Sequence, residues 1–156
     1  MSERLVVVVM RAAGAAVLCS AAVLFSASPA GAASSCGKVK ALIKPTLGVA
    51  VKTSTVVRNG HVFECIFGQP GTKTVMVNFQ SGMSPAKLKV MRSVFGGHST
   101  MTYSGLGLPA FSSVEGAGGG NSTGLVVLKG GTAVEVFWGG PLAKIAALMR
   151  KILPTV

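Results

Sequence analysis

VKTSTVVRNGHVFECIF, residues 51–67, decides the fold class of this chain. Val51 to Val57 is rich in β-branched residues, which favour extended backbone. Asn59-Gly60 is a two-residue hairpin signal. Beyond it the chain alternates. His61, Phe63, Cys65 and Phe67 share one face, and Val62, Glu64 and Ile66 share the other. A turn this short joins only antiparallel neighbours. An antiparallel sheet with one apolar face needs helices to cover it, so the expected class is α+β.

Working outward supplies the remaining elements. Gln69-Pro70-Gly71 reads as a turn and Thr74 to Gln80 as a third strand, with Val75, Val77 and Phe79 on one face. Ser84-Pro85 starts a helix, with the cap and the first-turn proline in the preferred order. Leu88, Met91, Val94 and Phe95 form its apolar stripe, and Gly96-Gly97 ends it. Residues 98–110 read as irregular, Phe111 to Val114 as a short strand and Gly116 to Gly120 as a flexible run. Leu125 to Leu128 and Ala133 to Trp138 are strands joined at Lys129-Gly130-Gly131-Thr132. Pro141 to Leu153 is a final helix with Leu142, Ile145, Leu148, Met149 and Ile152 on its core face. Before the hairpin, Cys36 to Lys44 reads as a helix capped by Ser34 or Ser35 and ended by Pro45. The expected architecture is an antiparallel sheet of five or six strands packed by two or three helices. It forms one domain over residues 33–156, with no internal repeat.

Residues 1–32 read as an export signal. Arg4 and Arg11 precede or interrupt an Ala/Val/Leu run, and Ala30-Gly31-Ala32 is a small-residue cleavage site. With a start at Met10 the apolar core, Ala12 to Ala27, is roughly 16 residues, short for a membrane span. A retained anchor helix is the rival reading. Cleavage near Ala32 also removes Cys19 and leaves Cys36 and Cys65. In an oxidising compartment two cysteines are most simply a disulfide. Closing a loop of about 30 residues stabilises by roughly 3.5 kcal/mol in the chain-entropy model. Cys36 has two other readings, a lipid-anchor site after Ala33-Ser34-Ser35 and a free thiol.

The chain carries a net charge of +11, and residues 1–32 account for one unit of it. There is no Asp, and Glu64, Glu115 and Glu135 are the acids beyond the signal. A domain this basic is drawn to polyanions, so anionic envelope polymers and lipid headgroups are the expected partners. Nucleic acid is not, since no nucleic-acid motif is present. The candidate basic surface comprises Lys87, Lys89 and Arg92 on one helix and Lys144, Arg150 and Lys151 on another.

Chemistry is thinly supplied. His61 reads as a strand residue, and His98 lies in a loop beside Ser99, Thr100 and Thr102. A hydrolase needs a Ser–His pair and a carboxylate to orient the base, and no Gly-x-Ser-x-Gly elbow is present. Glu64 and Glu135 read as solvent-facing or lysine-paired strand residues. Two cysteines and two distant histidines make no zinc set, and no metal or cofactor is expected. Gly116 to Gly120 lacks the Lys-Ser/Thr of a phosphate loop. Gly105, Leu106, Gly107, Leu108 and Phe111, with Trp138 as a wall, are the candidate edge of an apolar cleft.

The chain resembles the small exported proteins and lipoproteins of actinobacteria that carry a domain of unknown function. The matching residues are Cys36, Cys65-Ile66-Phe67, Gly105-Leu106-Gly107, Val126 to Trp138 and Leu142 to Leu153. Where such relatives place Asp-x-Ala after Gly-Leu-Gly, this chain has Leu108-Pro109-Ala110. The resemblance implies an α+β envelope domain with a disulfide, and binding or sensing in preference to catalysis. The expected function is therefore non-enzymatic binding at the envelope through an apolar cleft or basic surface. A lipid-anchored accessory subunit and a small hydrolase using His98 are the alternatives.

Overall fold

The computed structural model describes residues 30–68, 74–95, 99–116 and 121–156. His98 and residues 1–29, which hold most of the expected signal, lie outside the described residues. So do residues 117–120 of the glycine run.

Seven strands form one antiparallel sheet: β1 (Ser54–Asn59), β2 (Val62–Phe67), β3 (Val75–Ser81), β4 (Ser99–Thr102), β5 (Ala110–Gly116), β6 (Asn121–Lys129) and β7 (Thr132–Trp138). Their order is β1-β2-β3-β7-β6-β5-β4. Three α-helices pack on it, α1 (Ala30–Leu47), α2 (Pro85–Val94) and α3 (Leu142–Ile152). The α+β class holds, with seven strands in place of five or six. The added strand is β4, whose Ser-Thr-Met-Thr carries no apolar alternation and owes its pairing to β5.

The hairpin that sets the class shifts by one residue. Asn59 pairs with Val62, so Gly60-His61 form the turn and His61 is exposed there, off the strand. Gly60 takes the positive φ, +56°, that the first central position needs. At the β6–β7 turn both Gly130 and Gly131 have positive φ, where side chains cost most.

Alternation divides the sheet into two faces. On the first, Phe63, Cys65, Phe67, Val75, Val77, Leu125, Val127, Val134, Val136 and Trp138 form one buried cluster with Val39 and Ile43 of α1 and Ile145, Leu148, Met149 and Ile152 of α3. Cys36 and Cys65 are joined by a disulfide with Cα atoms 5.7 Å apart, tying α1 to β2. Helix α1 extends past both expected ends: Ser34 and Ser35 lie inside it, as does Pro45. Pro45 stands in the last turn of α1, so the hydrogen bond its missing N–H costs is lost at the helix end and not in its middle. Lys129 Nζ donates to the Leu153 carbonyl and fixes the end of α3 to β6.

On the second face Phe111, Val126, Leu128 and Ala133 pack with Met83 and Leu88. Among the described residues α2 is the helix that covers this face, and it sits over β5, β6 and β7. Ser84 caps it as expected, its Oγ accepting from Lys87 N at 3.2 Å. Among the described residues, two helices pack on one face and one on the other, and no helix covers the β1–β3 half of the second face.

Candidate functional site

Helix α2 is ten residues long and sits on the sheet through one narrow stripe. Leu88 is buried, and Met91 and Phe95 pack beside it. Phe95 lies over the aromatic pair Phe111 and Phe137, with ring centroids 6.0 and 6.1 Å away. One helical step round, Lys87, Val90 and Val94 face the open half of the sheet. Val90 is 63 % exposed and Val94 78 % exposed, so neither contributes much to the core. Between this flank and β3 runs a groove of about 370 Å³, lined by Gln80, Met83, Lys87, Val90, Met91, Val94 and Phe95. Its walls are apolar except for Gln80 and Lys87. Lys87 Nζ donates to the Gly82 carbonyl at 2.7 Å, which holds the ammonium at the β3 end of the helix.

A polar row crosses the sheet next to this groove. Glu64, Asn78 and Glu135 stand in register on β2, β3 and β7, on the face that α2 occupies. The row falls between Gln80–Ala133 and Met76–Phe137, and Phe137 meets Phe95 at the groove's far end. Glu135 is only 7 % exposed. Asn78 Nδ2 donates to its Oε2 at 3.3 Å, and Asn78 Oδ1 is buried without a partner among the described residues. Burial pushes the Glu135 carboxyl above its ordinary range. The Asn78 hydrogen bond opposes the shift and the nearby Glu64 charge adds to it. The expectation that Glu135 faces solvent or a lysine is therefore corrected: it is buried and its partner is an amide. Glu64 is half-buried.

The six residues expected to edge one cleft are divided by the sheet. Leu106, Leu108 and Trp138 pack against the α1–α3 cluster, whereas Phe111 belongs to the α2 cluster. Phe111 and Trp138 alternate to opposite faces, so they cannot line one cavity. Gly107 has φ +65° in the turn, and Gly105 lies against the Tyr103 ring. Trp138 is a core residue whose ring lies over Gly140, where a Cβ would come within 2.2 Å of it.

The six expected basic residues also divide. Lys87, Lys89 and Arg92 belong to α2, and Lys144, Arg150 and Lys151 to α3 on the other face. Several are engaged locally. Arg92 donates to Thr102 Oγ1 at 2.8 Å, Arg150 to the Gly105 carbonyl at 3.2 Å, and Lys151 to Thr46 Oγ1 at 3.0 Å. They form two separated cationic helices, and only the α2 set adjoins the groove.

The groove is small for a ligand site, near the lower end of the usual range of ~300–1,000 Å³. Apolar walls with a cation at one end suit a hydrocarbon chain carrying a negative head. Among the described residues no three His, Cys, Asp or Glu side chains gather as a metal set. Neither the exposed valines nor the polar row was evident from the sequence. The alternation of β2, β3 and β7 carried part of the signal, but the row requires that β3 lie beside β7. Comparison with family models, with curated proteins and with solved structures finds no match to this chain.

Proposed function

We propose that this chain is exported and acts at the cell envelope as a non-enzymatic binding domain, taking an anionic amphiphile in the groove beside α2. The hydrocarbon lies along Met83, Met91 and Phe95, and the negative head meets Lys87. The observation that carries this reading is the pairing of two strongly exposed valines with an apolar groove and a lysine at its end. Exposed apolar side chains concentrated at one concave place mark contact surfaces more often than scattered ones do. The surplus of basic residues supports an anionic partner. Export rests on the signal-like residues 1–32 and on the actinobacterial resemblance. The disulfide is consistent with an oxidising compartment. It also engages the Cys36 sulfur that a lipid anchor would need.

Flotation with vesicles tests the reading. Vesicles of phosphatidylglycerol and phosphatidylcholine should retain the protein, and vesicles of phosphatidylcholine alone should not. Raising salt should weaken retention without abolishing it, because screening acts on the head and not the chain. Val94→Asp should weaken retention about tenfold, equivalent to roughly 1.4 kcal/mol. Retention unchanged by Val94→Asp would remove the groove from the reading. Full displacement by a soluble polyanion would assign binding to the cations alone.

A further inference from the structure

The two helices of the first face carry one sign of charge. α1 buries Cys36, Val39, Ile43 and Leu47 and leaves Lys38, Lys40 and Lys44 exposed. α3 buries Ile145, Leu148, Met149 and Ile152 and leaves Lys144, Arg150 and Lys151 exposed. Neither helix holds an acidic residue. The acids beyond residue 32 are Glu64, Glu115 and Glu135, on β2, β5 and β7, and Glu64 and Glu135 lie on the α2 face. Lys151 Nζ donates to Thr46 Oγ1 at 3.0 Å, so the last turns of α1 and α3 adjoin and their cations form one layer.

Lys44, Arg150 and Lys151 have a structural reason to be there. They stand in last turns, where a cation meets the negative end of the helix dipole. Lys40 and Lys144 work against their helices. Lys144 stands in the first turn of α3, where the dipole opposes it. Lys40 is four residues before Lys44, a spacing that sets like charges side by side on a helix. Local choices that oppose the fold concentrate at functional sites.

The same surface indicates which anion fits. Among the described residues, none of the exposed large apolar side chains belongs to α1 or α3, whereas a helix that binds lipid inserts such side chains. Neither helix has an aromatic residue on which a nucleic-acid base would stack. The exposed residues between the cations, Gly37, Ala41 and Ala143, are small and uncharged. Five of the six cations are lysines, which meet phosphate as point charges without the bidentate geometry of arginine. We infer that the α1–α3 layer is a docking surface for a linear phosphate polymer without bases, held by charge across both helices. It lies on the opposite face of the sheet from the groove and does not rest on the groove reading. Docking releases counterions from the polymer, so it is steeply salt-dependent.

Binding of labelled inorganic polyphosphate to the oxidised full chain tests this, with two double variants that remove equal charge. Lys40→Gln/Lys144→Gln should weaken binding about tenfold and lower the slope of log affinity against log salt by about one for each lysine. Lys89→Gln/Arg92→Gln takes the same charge from α2 and should change affinity less than about twofold at physiological salt, where distant charges are screened. Equal losses from the two pairs would mean attraction by net charge alone and would overturn the inference. So would the absence of binding at low salt. Tighter binding of a thymidine oligonucleotide with the same number of phosphates would also overturn it, since the bases then contribute. Retention on phosphatidylglycerol vesicles should survive Lys40→Gln/Lys144→Gln; a matching loss there would assign the layer to the membrane and overturn the polymer. Val94→Asp, which tests the groove, should leave polyphosphate binding in place, so the two readings fail separately.

Discussion

Gly124 lies directly across from Phe137 on the α2 face, and the Phe137 ring occupies the space a side chain at Gly124 would fill. A Cβ there would stand 2.6 Å from Phe137 Cε1 and 2.5 Å from Ser113 Oγ. Phe137 in turn meets Phe95, which closes one end of the groove. A missing side chain on β6 thus sets the position of a groove wall. Gly124→Ala should destabilise by about 1–3 kcal/mol through overpacking. Phe137→Ala in the same chain should cost less than the two single losses together. A double-mutant cycle from urea unfolding measures the difference.

Glu135 makes stability depend on pH in an unusual direction. Its folded-state pKa is raised, so the native state binds more protons than the unfolded chain. Its contribution is complete below the ordinary carboxylate value, and it is lost as pH rises through the raised value. Glu64 is the other carboxylate facing it, and Asn78 is its hydrogen-bond donor. Glu135→Gln keeps an acceptor for Asn78 and removes the charge. This variant should be more stable than the parent at neutral pH and should lose that advantage in acid. Denaturant midpoints from acid to neutral pH check the sign. A parent that gains stability as pH rises through that window, with no change from Glu135→Gln, contradicts it.

The disulfide joins α1 to the middle of the sheet as well as closing a loop. Cys65 sits at the centre of the α1–α3 cluster, and Cys36 brings Val39 and Ile43 onto the same strands. Removing both cysteines as alanines should cost about 2–5 kcal/mol. Hydrogen exchange should show the loss first in α1, which the bond anchors, while the β6–β7 hairpin stays protected.

What was legible in the sequence follows from locality. The hairpin within 51–67, the Ser84-Pro85 cap and the stripe of α3 are set by neighbours within a few residues; the cap and the stripe came out in place, and the hairpin formed with its turn moved onto Gly60-His61. The Cys36–Cys65 pairing was legible because setting Cys19 aside with the expected signal leaves two cysteines and one way to pair them. β4 was not legible, because its four residues carry no pattern and become a strand only against β5. The cleft assigned to Phe111 and Trp138 failed for a different reason. Both are large and apolar, but alternation alone does not say which faces of two distant strands coincide. That needs the register Phe111–Val126–Glu135, which puts Phe111 on the side away from Trp138. The groove was hidden for the same reason. Val94 fitted the apolar stripe of its helix, but the side chains that meet the sheet are Leu88, Met91 and Phe95, and Val94 stands at the flank, 78 % exposed.

Ser113 offers the sharpest test of polar satisfaction in the α2 layer. It is 1 % exposed, and its hydroxyl has no hydrogen-bond partner among the described residues. A buried hydroxyl without a partner costs about 1–3 kcal/mol in lost hydration. Ser113→Ala removes the hydroxyl and leaves the methylene that packs beside Gly124. Most buried substitutions destabilise by about 1 kcal/mol. This one should instead leave stability unchanged or raise it by up to about 1 kcal/mol. It should also ease Gly124→Ala, because one of the two atoms that crowd a Cβ there is the Ser113 hydroxyl. Thermal and urea unfolding of the single and double variants decide this. A clear loss in Ser113→Ala would mean that the hydroxyl has found a partner in solution.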